Sequence, residues 1–135
     1  MKKNELPRGL RNNNPGNIRI NNDLFQGEVR PSKDKSFKQF ETMAYGYRAM
    51  FKILSNYYRK YSLTTIRKII GRWAPENENN TSAYVSLVSS YAGIGPDDLI
   101  SFDREQMIRI VAGMSKVENG REAEMSDVIA GWNLL

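Results

Sequence analysis

Apolar positions change period once along the chain. Between residues 17 and 30 two short alternating segments, NIRI and GEVRP, flank the polar run NNDLFQ. Period-two alternation broken by Asn21-Asn22-Asp23 predicts a β-hairpin over residues 17 to 30. A further extended piece, SFKQF, carries Phe37 and Phe40 in less regular alternation. Beyond it the period becomes helical. Thr42 is a suitable N-cap, and Met43, Tyr47, Met50, Phe51, Leu54, Tyr57 and Tyr58 recur at helical spacing, which predicts a helix from 43 to 60. Gly46 lowers the propensity of that helix, so it points to close packing by another segment.

Four more helical patterns follow. Ile66, Ile69 and Ile70 mark a short helix after Ser62 that runs to Arg72 and ends before the polar run WAPENENNT. Thr81 is read as the cap of a helix through Ala92, closed by Gly93-Ile94-Gly95-Pro96. Asp103 precedes a helix from 104 to 118 with the stripe Met107, Ile108, Ile110, Val111, Met114 and Val117, the most hydrophobic in the chain. Asn119-Gly120 is a left-handed stop signal for it. Ser126 then caps a last short helix to Leu134. The expected fold is α+β and predominantly α-helical, a single domain over residues 1–135 with a small N-terminal β-hairpin.

The stretch RNNNPGNIR, residues 11 to 19, stands apart from these patterns. Asn14 before Pro15 is pushed toward extended backbone, and Pro15-Gly16 suits the centre of a type II turn. The amides around that turn can bond to backbone, or they can present donors and acceptors to a ligand.

Composition narrows the chemistry. The chain contains no histidine and no cysteine, which removes disulfides, the commonest zinc ligand sets, Ser-His-Asp triads and Cys-His pairs together. Hydrolytic chemistry would have to run on carboxylates, hydroxyls or lysine, with no metal and no cofactor. Charge is divided along the chain: residues 1 to 72 hold 16 Lys/Arg against 5 Asp/Glu, or +11, and residues 73 to 135 hold 4 against 10, or −6. Either the two halves complement each other, or a basic surface draws an anionic polymer such as nucleic acid or cell wall. No apolar run approaches bilayer length, and MKKNELPRG is followed by no apolar signal region. The reading is a protein made in the cytoplasm without a cleavable signal.

Glu118 is placed against helix stability, because the C-terminal end of a helix favours cations. Val117 continues the buried stripe, so the carboxyl is expected beside apolar surface, and both conditions would raise its proton affinity. That is the requirement on a general acid that protonates a glycosidic oxygen.

RGLRNNNPGNIR, the GYRAM helix and IIGRWAPENENNTSAY together resemble phage and prophage proteins with an Arg-Asn-Asn-Asn-Pro-Gly-Asn-Ile signature, labelled virion-associated or lysozyme-like. The resemblance runs along most of the chain. In lysozyme-like glucosaminidases and transglycosylases a catalytic Glu ends a buried helix, and a loop with Asn-Asn, then Gly and Ile, leads into the hairpin. Asn13-Asn14 and Ile18 match that loop, and Gly16 is displaced by one position. The order is reversed here, which implies a circularly permuted lysozyme-like domain in which Glu118 meets the loop from Asn12 to Ile18.

The resemblance implies cleavage of the glycan strands of bacterial peptidoglycan by a muramidase, glucosaminidase or lytic transglycosylase. The protein would act on the wall after release from the cell, or as part of the virion beside other phage particle proteins. Glu118 would be the general acid. Arg11, Asn12, Asn13, Asn14 and Asn17 would shape the groove, and Trp73 could stack on a sugar. Glu78, Asn79, Thr81 and Tyr84 match the family's Glu-Asn-x-Thr-x-x-Tyr pattern, which implies that Thr81 and Tyr84 bind substrate, Tyr84 by orienting sugar or a charged intermediate. Glu78 would be a second catalytic group, with Glu28, Asp34 and Glu41 as other carboxylates for that role, or it would stabilise the N-terminus of the next helix. Two other readings stay open. One is a virion structural or wall-binding protein without turnover. The other is a DNA-packaging factor that binds phosphates through Arg8, Arg11, Arg19, Arg30 and the cluster from Lys33 to Lys38, although no recognition helix or stacking motif accompanies that charge.

Overall fold

The computed structural model describes residues 5–77 and 79–135. Among the described residues the chain forms six helices and one two-stranded antiparallel sheet, an α+β architecture that is predominantly helical. In chain order these are α1 (Arg8–Arg11), β1 (Glu28–Val29), β2 (Gln39–Phe40), α2 (Met43–Tyr61), α3 (Ile66–Trp73), α4 (Thr81–Ala92), α5 (Arg104–Asn119) and α6 (Met125–Asn133).

Helix α5 is the centre of the molecule. Every residue from Ile110 to Ser115 is buried, so this helix is covered on all sides rather than along one stripe. Helix α4 lies along it, and Gly113 leaves room for the Tyr91 ring. Helix α2 buries Tyr47, Met50, Phe51 and Leu54, and the Tyr47 and Ser115 hydroxyls hydrogen-bond at 2.8 Å to join it to α5. The outer side of α2 receives α6. A Cβ at Gly131 would lie 2.6 Å from the Tyr47 Cβ and 2.9 Å from the Ala44 carbonyl, so only glycine permits that crossing. Trp132 then meets Phe51 edge-on at 5.2 Å.

The helix spans agree closely with the hydrophobic period, and the caps differ. Helix α3 starts at the Thr65 cap, whose hydroxyl accepts from the Lys68 amide, whereas Ser62 is the left-handed residue that ends α2. Asn80, not Thr81, caps α4. Helix α6 follows Glu124 without a side-chain cap. Helix α1 was not anticipated, because four residues are too few to show a period.

The hairpin expected over residues 17 to 30 is corrected. Its two arms do not pair with each other; both pair with the SFKQF segment. Lys38 N donates to Ile18 O at 2.9 Å and Ile20 N to Ser36 O at 3.0 Å, while β1 pairs with β2 in the register Glu28 to Phe40 and Val29 to Gln39. The central place follows from burial, since Phe40 packs into the core, Phe37 is buried beneath Arg8 and Arg19, and the segment that carries them needs cover on both edges. The loop between the arms is held open by Lys38, whose fully buried ammonium donates to Asp23 O at 2.8 Å and to both Glu28 oxygens at 3.0 and 3.1 Å. Burial alone would raise the Glu28 carboxyl. The hydrogen bonds from Arg30, Lys38 and the Phe25 amide outweigh it, and the group lies below the ordinary glutamate value.

Candidate active-site groove

The asparagine loop is built before anything can be held in it. Asn17 N closes the turn on Asn14 O at 3.0 Å, and the left-handed residues are Asn13 (φ 52°) and Asn17 (φ 49°). Gly16 is not left-handed, so this is not the type II turn expected from Pro15-Gly16. Gly16 is required instead for space: a Cβ there would lie 2.8 Å from the Trp73 ring. Gly46 is likewise the seat of the loop, because a Cβ would come within 2.1 Å of Asn13 O.

Each amide has its own task. Asn14 is fully buried, donates to Ile18 O at 3.0 Å and Lys38 O at 2.9 Å, and accepts from the Ile18 amide at 2.9 Å. Asn13 donates to Phe40 O at 3.1 Å, and Asn12 to Asp34 Oδ2 at 3.2 Å. These three amides tie the loop to the sheet, and none lines the groove. Arg11 is exposed and also lies off the groove lining. Asn17 alone turns the other way.

Asn17 Nδ2 donates to Glu118 Oε1 at 3.0 Å across 101 residues of sequence. Glu118 Oε2 accepts from Tyr84 Oη at 2.8 Å and from the Trp73 indole at 3.3 Å. The carboxyl at the end of α5 thus meets the asparagine loop, the last residue of α3 and the first turn of α4. Burial first, and the neighbouring Glu118 second, push the Tyr84 phenol well above its usual range, so it remains a hydroxyl donor. Asn119 locks the junction by donating to Pro15 O and Ser115 O, both at 2.9 Å. Sequence reasoning saw Asn119 only as part of a helix stop.

Glu118 lines a groove of about 740 Å³ with Asn17, Trp73, Gly16 and Ile18. Arg8, Arg19, Phe25 and Phe37 continue it on the N-terminal side, and Tyr57, Lys60, Tyr61 and Arg72 on the side of α2 and α3. Asp23 is the other carboxylate in the described lining. Thr81 does not line it; its hydroxyl donates to Ala74 O at 2.5 Å and pins α4 to the end of α3. Glu78 lies outside the described residues. Glu28 is engaged by Lys38 and Arg30, Asp34 accepts from the Ser36 and Phe37 amides, and Glu41 is exposed. None of these three lines the groove. Among the described residues no cluster of Asp or Glu could hold a metal ion, and no helix is long and apolar enough to cross a membrane.

No protein-family model matches the chain. It is 39% identical over 129 residues to Protein P5 of Pseudoalteromonas phage PM2, a match that covers 93% of this chain and 79% of that protein. The chain belongs to the family of this phage protein. Membership in the Protein P5 family agrees with the phage relationship expected from the asparagine signature. It leaves the chemistry of the groove to be argued from the groove itself.

Proposed function

We propose that this protein cleaves the glycan strand of bacterial peptidoglycan, with Glu118 as the general acid in a circularly permuted lysozyme-like arrangement. The observation that carries this reading is the meeting of chain head and tail: the Asn17 amide from the loop rests on a carboxyl that ends the buried helix α5, beside an open groove. The hydrogen bonds suggest how the acid would work. Each carboxyl oxygen has two lone pairs, and those of Oε2 are taken by Tyr84 and Trp73. Oε1 has Asn17 alone among its side-chain partners and keeps a site for a proton. Oε1 would deliver that proton to the glycosidic oxygen, while Tyr84 and Trp73 fix the orientation of the group. Asp23 lines the same groove and would be the group to activate water or to stabilise the positive sugar that develops.

Purified cell wall provides the test. Wild type should reduce turbidity and release muropeptides, and Glu118→Gln should slow release by about 10²- to 10⁴-fold. Reducing ends among the products would indicate hydrolysis, and anhydro ends transglycosylation. Equal clearing by both proteins would remove Glu118 from the acid role. A second reading, wall binding without turnover as part of the phage particle, is favoured by the same contacts. Three donors on one carboxylate are also what a structural clamp between loop and helix requires. It predicts wall binding with no new chain ends.

A further inference from the structure

All four cations of the groove come from the basic first part of the chain. Arg8 and Arg19 lie over the Phe37 ring, their guanidinium carbons 4.0 and 4.9 Å from its centre. Arg72 lies 4.1 Å over Tyr61 and 5.2 Å over Tyr57, with Lys60 beside them in the lining. None of the four forms an ion pair among the described residues. A guanidinium beside an aromatic ring loses less freedom on binding than one in open solvent, and its N–H donors suit a planar, bidentate partner.

We infer that the groove selects a glycan strand with carboxylate substituents on only some of its sugars, read by the Arg8–Arg19 pair on one wall and by Lys60 and Arg72 on the other. The inference rests on the glycan-cleavage reading and names what that site would prefer. Asp23 and Glu118 in the same groove argue for spaced charges. A nucleic acid carries a phosphate at every nucleotide and would bring anions onto both carboxylates. A strand charged at intervals can lay a neutral sugar over Glu118 and a carboxylate against each cation pair. Asn21, Asn56 and Asn79 in the lining offer donors and acceptors that match hydroxyls and N-acetyl groups. Phe37, Tyr57 and Tyr61 are already covered by guanidinium groups, which makes these three rings poor platforms for stacked bases.

Binding to Glu118→Gln, followed by Trp fluorescence or calorimetry at low ionic strength, separates the possibilities. Three glycans of equal length are compared: a neutral N-acetylglucosamine oligomer, a peptidoglycan glycan with free lactyl carboxylates, and the same glycan with those carboxylates amidated. The carboxylate strand should bind about tenfold tighter than either neutral strand. Adding Arg19→Gln and Arg72→Gln should erase that preference and leave the far-ultraviolet circular dichroism spectrum unchanged. Equal affinity for all three glycans would overturn the inference, as would tighter binding of a single-stranded oligonucleotide. A preference that survives the double arginine substitution would overturn it too. The cleavage reading fails separately, if wild type releases no fragments from cell wall whatever its charge preference.

Discussion

Asn14 shows how much one side chain can organise. Its amide satisfies two carbonyls and one amide N–H that have no water to turn to, and it does so on behalf of the loop that carries Asn17. Asn14→Ala would leave those groups unpaired, and unfolding in urea should show a loss of about 3 kcal/mol. Asn21→Ala is the contrast. Asn21 is exposed and its side chain accepts from Asp23 N two residues on, while its bond from Arg30 is made by the backbone carbonyl, so truncation to alanine should change stability by less than about 0.5 kcal/mol. The two residues look equivalent in the sequence, and burial separates them. Gly9 belongs to the same account: a Cβ there would lie 2.4 Å from the Asn119 amide oxygen and 2.9 Å from that of Asn17. Those two oxygens have no hydrogen-bond partner, so the glycine lets the amides around Glu118 pack with their donors aimed where they are needed.

At the scale of elements, the helices follow their hydrophobic period and glycine decides how closely they approach. Gly131 in α6 and Gly71 in α3 carry the same propensity cost and have opposite surroundings. Nothing lies within 4 Å of a Cβ at Gly71, whereas one at Gly131 meets α2 at 2.6 Å. Gly71→Ala should therefore stabilise the protein by about 0.5–1 kcal/mol, through helix propensity and a less mobile unfolded chain. Gly131→Ala should destabilise it by about 1–3 kcal/mol, because α6 must move off α2. Thermal unfolding of the two variants gives the comparison, and the same sign for both would show that propensity outweighs packing at the α2–α6 crossing. The β segment was less legible than the helices. Alternation marks a strand but does not name its neighbour, and the buried Lys38 contacts that arrange the pairing join residues up to 15 positions apart.

Across the whole molecule, the divided charge resolves into two separate effects. Arg67 and Asp97 form an ion pair that joins the basic and acidic parts, and both side chains are well exposed. Such pairs are screened and weak. Arg67→Ala should leave the urea midpoint unchanged within error, and a clear drop would restore complementarity between the halves as a source of stability. The larger consequence of the division is in the groove, where Arg8, Arg19, Lys60 and Arg72 converge with few carboxylates opposite them. Ordinary helical packing of α2 and α3 against the N-terminal segment brings them there.

The sequence by itself determined the helices and their approximate ends, the absence of histidine and cysteine chemistry, the unusual position of Glu118 and the basic first part of the chain. Each of these is a local property: a period, a composition or a residue at a helix end. Tertiary structure alone decided which asparagine faces Glu118, which carboxylates reach the groove and where the SFKQF segment pairs. Those outcomes depend on contacts between distant positions, such as Asn17 and Glu118, and no local pattern records which of several similar side chains the folded core will turn inward.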